Sequence, residues 1–443
     1  MGRRAFHERG LRPMNALLPY VVELERHLNA LHLSEEQWQA WCDSCLDGTP
    51  SRELRRLVPL ADLKKQGAFF TAPGLARQLA TMFGSTDDES VYCDPACGVG
   101  DLLLAVARGL PLAPAVSETL ALWGRRLTGC DLSAVFVRAA KARLALLAMQ
   151  RCGSREPIAP AVLDDLLPAI TVGDALRCHD LYSAADRIIM NPPFSTMSAP
   201  EGCEWSAGGL NAAAVFTETA IVHSRDGTRI VAILPDVLRS GSRYELWRRM
   251  VDDNALLYEV RSYGPFDLHA DVDVFLLCVT VDRNGDAHGH RDWSWIDADS
   301  NVDVSKHFTV RVGAVVPHRD PETGPEHPYV HARSLPPWST LERITEKRSF
   351  AGTVFRPPFV AVRRTSGPRD RKRAVATIVL GEQCVAVENH VIVCRPADGS
   401  IARCRALAER LRSTRTDEWL NRRIRCRHLT TASVAEIPWW DDP

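Results

Sequence analysis

The run Ile188-Ile189-Met190-Asn191-Pro192-Pro193-Phe194 constrains this chain more than any other stretch. An apolar segment stops at a polar residue and two prolines, and proline neither donates to a sheet ladder nor continues a strand. A buried strand therefore ends here and presents Asn191 and Phe194 at its mouth.

Three upstream strand ends carry acids. Val91-Tyr92-Cys93-Asp94 runs into Pro95-Ala96-Cys97-Gly98-Val99-Gly100 and re-enters an apolar helix at Asp101-Leu102-Leu103-Leu104. Glycine lets backbone approach a ligand closely, and the helix N-terminus adds donors. The spacing is not the dinucleotide fingerprint, because the residue three after Gly100 is Leu103. An acidic strand end suits a ligand with positive charge, such as the ammonium of a methionine moiety, better than a pyrophosphate. Leu127-Thr128-Gly129-Cys130-Asp131-Leu132 places Asp131 where a carboxylate accepts both hydroxyls of a ribose. Ile170-Thr171-Val172-Gly173-Asp174-Ala175 places Asp174 within reach of an adenine amino group. Singly, either Asp reads as a helix cap. In series, with the glycine turn and Asn191, they describe one nucleoside site along the carboxyl edge of a parallel sheet.

Together these motifs resemble the S-adenosylmethionine-dependent adenine-N6 DNA methyltransferases of prokaryotic restriction-modification and phage-defence systems. Gln66-Gly67 to Pro73 resembles the motif before the glycine loop in the class where cofactor region, catalytic region and target-recognition domain follow in that order. The resemblance spans most of residues 62–282 and, more loosely, 345–440. It implies S-adenosyl-L-methionine as methyl donor, held by Thr71, Asp94, Ala96, Gly98, Gly100, Asp131, Leu132, Asp174 and Ala175. Asn191, Pro192 and Phe194 are then the catalytic residues, and Phe266 a candidate second wall for the target base. Two departures stand out: Ala72 separates Thr71 from Pro73, and Asp101 replaces a residue that is commonly small, with cofactor affinity the property it would alter.

The chemistry supports the fourth motif on its own terms. The exocyclic nitrogen of adenine is a poor nucleophile because its lone pair is delocalised into the ring. Two acceptors on its hydrogens return density to nitrogen and aim it at an electrophile. Asn191 supplies a side-chain carbonyl and the Asn191-Pro192 segment a backbone one. Phe194 stacks on a base that must leave the duplex to be reached. Methyl transfer from a sulfonium needs no metal and no covalent enzyme intermediate.

At 443 residues the chain is too long for one ordinary core. The expected fold is α/β: a helical segment at 1–60, a doubly wound, mostly parallel Rossmann-like methyltransferase sheet at 61–285, and a mixed α+β target-recognition domain at 286–443. Proline and turn residues multiply after Asn284-Gly285. Beyond that point Arg356, Arg363, Arg364, Arg369, Arg371, Lys372 and Arg373 crowd one span, and Arg422, Arg423, Arg425, Arg427 and His428 another. Such clusters are the electrostatic footprint of phosphate contacts, with Arg363, Arg364, Arg371 and Arg373 the candidates. A solvated surface face is the alternative.

Thirteen cysteines in apolar contexts read as reduced core residues, and Cys42 and Cys45 lack a second pair at zinc spacing. No apolar run approaches the ~18 residues of a membrane span, which leaves a cytoplasmic protein as the expectation. The expected partner is double-stranded DNA. No nuclease motif is evident, so cleavage would fall to a separate restriction endonuclease or defence subunit. Two rivals remain: a methyltransferase acting on RNA or on a protein glutamine, and a non-catalytic DNA-binding defence subunit.

Overall fold

The computed structural model describes residues 14–440 apart from 30–32, 68, 85–88, 207, 268–271, 284–292, 294–301, 366–371 and 425–427. The chain divides into two compact units, residues 1–239 with 243–291, and 292–443 with 240–242.

The first unit is built on strands β1 (Tyr92–Asp94), β2 (Leu127–Asp131), β3 (Ile170–Val172), β4 (Arg187–Met190), β7 (Arg229–Pro235), β8 (Ala255–Pro265) and β9 (Asp273–Val281), with the short pair β5 (Thr196–Ser198) and β6 (Gly209–Asn211) apart from them. The seven-stranded order is β3-β2-β1-β4-β7-β9-β8. β1, β2, β3, β4 and β7 are mutually parallel, whereas β9 runs antiparallel to both β7 and β8. Ile188, Ile189 and Met190 in β4, and Ile230 to Leu234 in β7, are fully buried. Continuous apolar strands of this kind require helices on both faces.

The helices before the sheet share its core. Ser34 caps the helix Glu35–Leu46 in a reciprocal box with Gln37, and Trp38, Cys42, Cys45 and Leu46 pack with Leu144 and Leu147 of the long helix Ala134–Cys152. Leu17, Val21, Leu54 and Val58 close over Val99, Phe136 and Ala139. Burial pushes the Cys42 and Cys45 thiols up to about 12 and about 11, so both are inert core groups. Among the described residues no group of His, Cys, Asp or Glu is arranged to hold a metal. No described helix is long and apolar enough to cross a membrane.

In the second unit a five-stranded sheet contains Phe359–Arg363, Ala376–Val379 and Val391–Pro396. Successive residues of Phe359–Arg363 enter opposite layers. Val360 and Val362 pack with Leu407, Leu411 and Leu420 of the helices Ile401–Arg412 and Thr414–Arg423, whereas Phe359 and Ala361 pack with Val330, Phe355 and Val387.

Candidate active site

Strand order reverses between β1 and β4, and an open parallel sheet leaves a crevice beyond its carboxyl ends at such a point. Asp94 closes β1 and Asn191 follows β4; Asp131 closes β2 and Asp174 lies two residues past β3. The parallel strands bring these four residues to one edge.

The glycine loop is fastened to β2. The Cys97 N–H donates to the Cys130 carbonyl at 3.0 Å, and the Gly98 N–H to Asp131 Oδ2 at 3.0 Å. Asp131 Oδ1 accepts from the Ser133 N–H at 2.8 Å. Gly98 and Gly100 have φ of 51° and 85°, in the left-handed region that favours glycine. A Cβ on Gly100 would stand 3.0 Å from Ala140 Cβ, so packing against the helix Ala134–Cys152 also requires glycine there. At Gly98 a Cβ would meet the Phe70 ring at 3.4 Å.

Asp94 is 1% exposed and accepts from the Ala96 N–H at 3.1 Å. Burial pushes its carboxyl well above the usual range; the Ala96 amide opposes this, and the nearby Asp131 and Asp101 charges add to it. Burial likewise raises Asp131 to about 6 against its two amide donors. These carboxyls fit a ligand with an ammonium and a vicinal diol: a cation relieves the penalty at Asp94, and Asp131 keeps spare lone pairs for hydroxyls. Leu132 and Val172, the latter paired with Asp131 across β2 and β3, are 41% and 54% exposed and offer apolar surface to an adenine ring. Asp174 accepts from the Leu176 N–H at 3.2 Å, with Arg177 Nε at 3.4 Å and Ala175 buried behind it.

Asn191 is held from one side. Its Nδ2 donates to Thr71 Oγ1 at 2.9 Å and more weakly to the Phe69 carbonyl at 3.5 Å, and among the described residues no hydrogen bond engages Oδ1. Thr71 is buried and does not cap the following helix Pro73–Thr81, whose N-cap is Ala72. Gly67, at φ 66°, lets the Gln66–Thr71 stretch lie directly on the Asn-Pro-Pro-Phe loop: a Cβ would stand 2.9 Å from Pro193 Cβ and 3.0 Å from the Phe194 nitrogen. From the other side, Asn211 Nδ2 donates to the Phe194 carbonyl at 3.1 Å.

Phe266 stands beside Phe194. Its ring is buried and meets the half-buried Phe194 ring edge-on, with centroids 5.6 Å apart at 78°, and it also contacts Phe69 at 6.5 Å and 80°. The edge contact packs Phe266 directly against Phe194. Asp101 is explained as well. Its carboxylate pairs with the fully buried Arg143 at 2.8 Å.

In the second unit the candidate arginines are partly committed to the fold. Arg363 donates to the Leu335 carbonyl at 2.7 Å, Arg364 to the Asn389 carbonyl at 3.3 Å, and Arg373 to Asn421 Oδ1 at 2.8 Å and the Ile424 carbonyl at 2.9 Å. All three are half-buried. Arg371 lies outside the described residues, as do Arg369, Arg425 and Arg427.

Residues 60–261 match the family model of the N-6 DNA methylases. The matched stretch is a little under half of the chain. The methyl donor of the N-6 DNA methylases is S-adenosylmethionine, which agrees with the ammonium-and-diol fit at Asp94 and Asp131. No curated protein matches the chain. Among solved structures, the type IIL restriction-modification enzyme MmeI in complex with DNA aligns with 88% of this chain and 70% of its own, at 12% identity and a TM-score of 0.53, a likeness of fold. A modification subunit of a putative type I restriction enzyme from Vibrio vulnificus aligns with 57% of this chain at 18% identity and a TM-score of 0.40. The chain spans about half of that subunit's length.

Proposed function

We propose that this protein transfers a methyl group from S-adenosylmethionine to N6 of an adenine flipped out of a specific duplex DNA sequence, as the modification component of a restriction-modification or defence system. The observation that carries this reading is the Asn191 carboxamide, anchored through Nδ2 with Oδ1 left to accept. Asn191 Oδ1 and a backbone carbonyl of the Asn191-Pro192 segment take the two amino hydrogens and localise the lone pair on nitrogen. Phe194, backed by Phe266, offers a stacking face to the base. The bound methyl donor supplies an electrophilic carbon on a sulfonium. Positioning does the remaining work, and Asp94 and Asp131 hold the donor's polar groups.

Transfer of tritiated methyl into plasmid DNA tests the proposal. DNase-sensitive counts support it, and counts only in RNA or protein overturn the DNA assignment. A protein that binds S-adenosylmethionine but labels nothing would instead be a non-catalytic subunit.

A further inference from the structure

We infer that Thr71 is a positioning residue for Asn191: its hydroxyl, with the Phe69 carbonyl, fixes which way the Asn191 carboxamide points. This rests on the methyl-transfer reading above and deepens it. A carboxamide has two nearly isosteric ends, and only one of them helps an amino nucleophile. With Oδ1 toward the base the amide accepts an N6 hydrogen; with Nδ2 there, donor would meet donor.

The two anchors settle the choice jointly. A threonine hydroxyl both donates and accepts, so alone it tolerates either end. The Phe69 carbonyl only accepts, so Nδ2 faces it. That contact is long, at 3.5 Å, whereas Thr71 Oγ1 receives the other Nδ2 hydrogen at 2.9 Å. Both donors of the amide are thereby spent inside the protein.

The same geometry accounts for one sequence departure. Ala72, not Thr71, is the N-cap of the helix Pro73–Thr81, which leaves the Thr71 hydroxyl for Asn191.

Thr71→Val keeps the shape and removes the hydroxyl; Thr71→Ser restores it. Single-turnover methylation by Thr71→Val should fall ~10- to 100-fold, the effect of one orphaned donor and a freed amide, with S-adenosylmethionine affinity by calorimetry changed less than twofold. Thr71→Ser should recover most of the rate. A weakened cofactor affinity with an unchanged saturated rate would make Thr71 a cofactor contact and overturn the inference. An independent readout is hydrogen exchange of the Asn191 side-chain amide in protein labelled with ¹⁵N-asparagine, its signal assigned by its loss in Asn191→Ala. Slow exchange in wild type that becomes fast in Thr71→Val supports the inference. Exchange as fast as in a solvent-exposed asparagine overturns it, even if DNA proves not to be the substrate.

Discussion

Arg143→Met offers the sharpest test of how the first unit holds its site. Arg143 is fully buried, and its guanidinium serves Asp101 and the carbonyls of Val99, Cys45 and Asp47. The substitution keeps most of the volume but strands a carboxylate and several carbonyls. Removing one member of a buried pair costs about 3–5 kcal/mol, because the partner's desolvation is no longer offset. Burial already raises the Asp101 carboxyl above its ordinary range, with Arg143 the main opposing influence, so the variant raises it further. A folded-state value above the unfolded one means that ionisation penalises the fold. The deficit is therefore full at pH 8 and shrinks as pH falls toward the unfolded value of about 4.

Two units make a single unfolding transition unsafe to assume, so local opening is read by hydrogen exchange. Peptides covering 35–47 and 98–107 should lose about 10²- to 10⁴-fold protection at pH 8, the equivalent of that energy. The peptide covering 391–396 should not change. Replacing both partners, Arg143→Met with Asp101→Leu, should recover most of the loss, since no buried charge remains. A double variant no better than the single one, or a deficit equal at pH 5 and pH 8, would refute the reasoning.

Asp131, at about 6, binds a diol best as a carboxylate, so S-adenosylmethionine affinity should fall up to tenfold per pH unit below about 6. Calorimetry between pH 5 and 8 reads this, and Asp131→Asn should flatten the profile; an equal slope in the variant assigns the titration elsewhere. Neutralising Arg363, Arg364, Arg371 and Arg373 together should weaken DNA binding and flatten its salt dependence. Because three of these side chains hold backbone or side-chain acceptors, the variant should also melt earlier, whereas Arg422→Gln, at an exposed position, should leave melting unchanged. An unchanged salt slope would place the phosphate contacts on other residues.

The strand ends were legible because their signals are local. Prolines 192 and 193, the loop glycines and single acids after apolar runs each dictate backbone behaviour within a few residues. What stayed hidden depends on distant pairs. Nothing near Asp101 announces Arg143, and nothing near Arg143 announces Cys45, 98 residues away. Sequence reports Phe266 as an aromatic at a sheet edge but not the Phe194 ring against it. The arginine clusters were visible as charge, while their carbonyl partners, Leu335 and Asn389 among them, were not.

The central claim is that Asn191 activates an adenine amino group without holding the methyl donor. Wild type and Asn191→Ala, each incubated with S-adenosylmethionine and plasmid DNA, can be compared by mass spectrometry of the digested nucleosides, with cofactor affinity measured in parallel. The account predicts N6-methyladenine from wild type, none from Asn191→Ala, and equal affinities. N6-methyladenine formed at an undiminished rate by Asn191→Ala, or loss of cofactor binding in that variant, would contradict it.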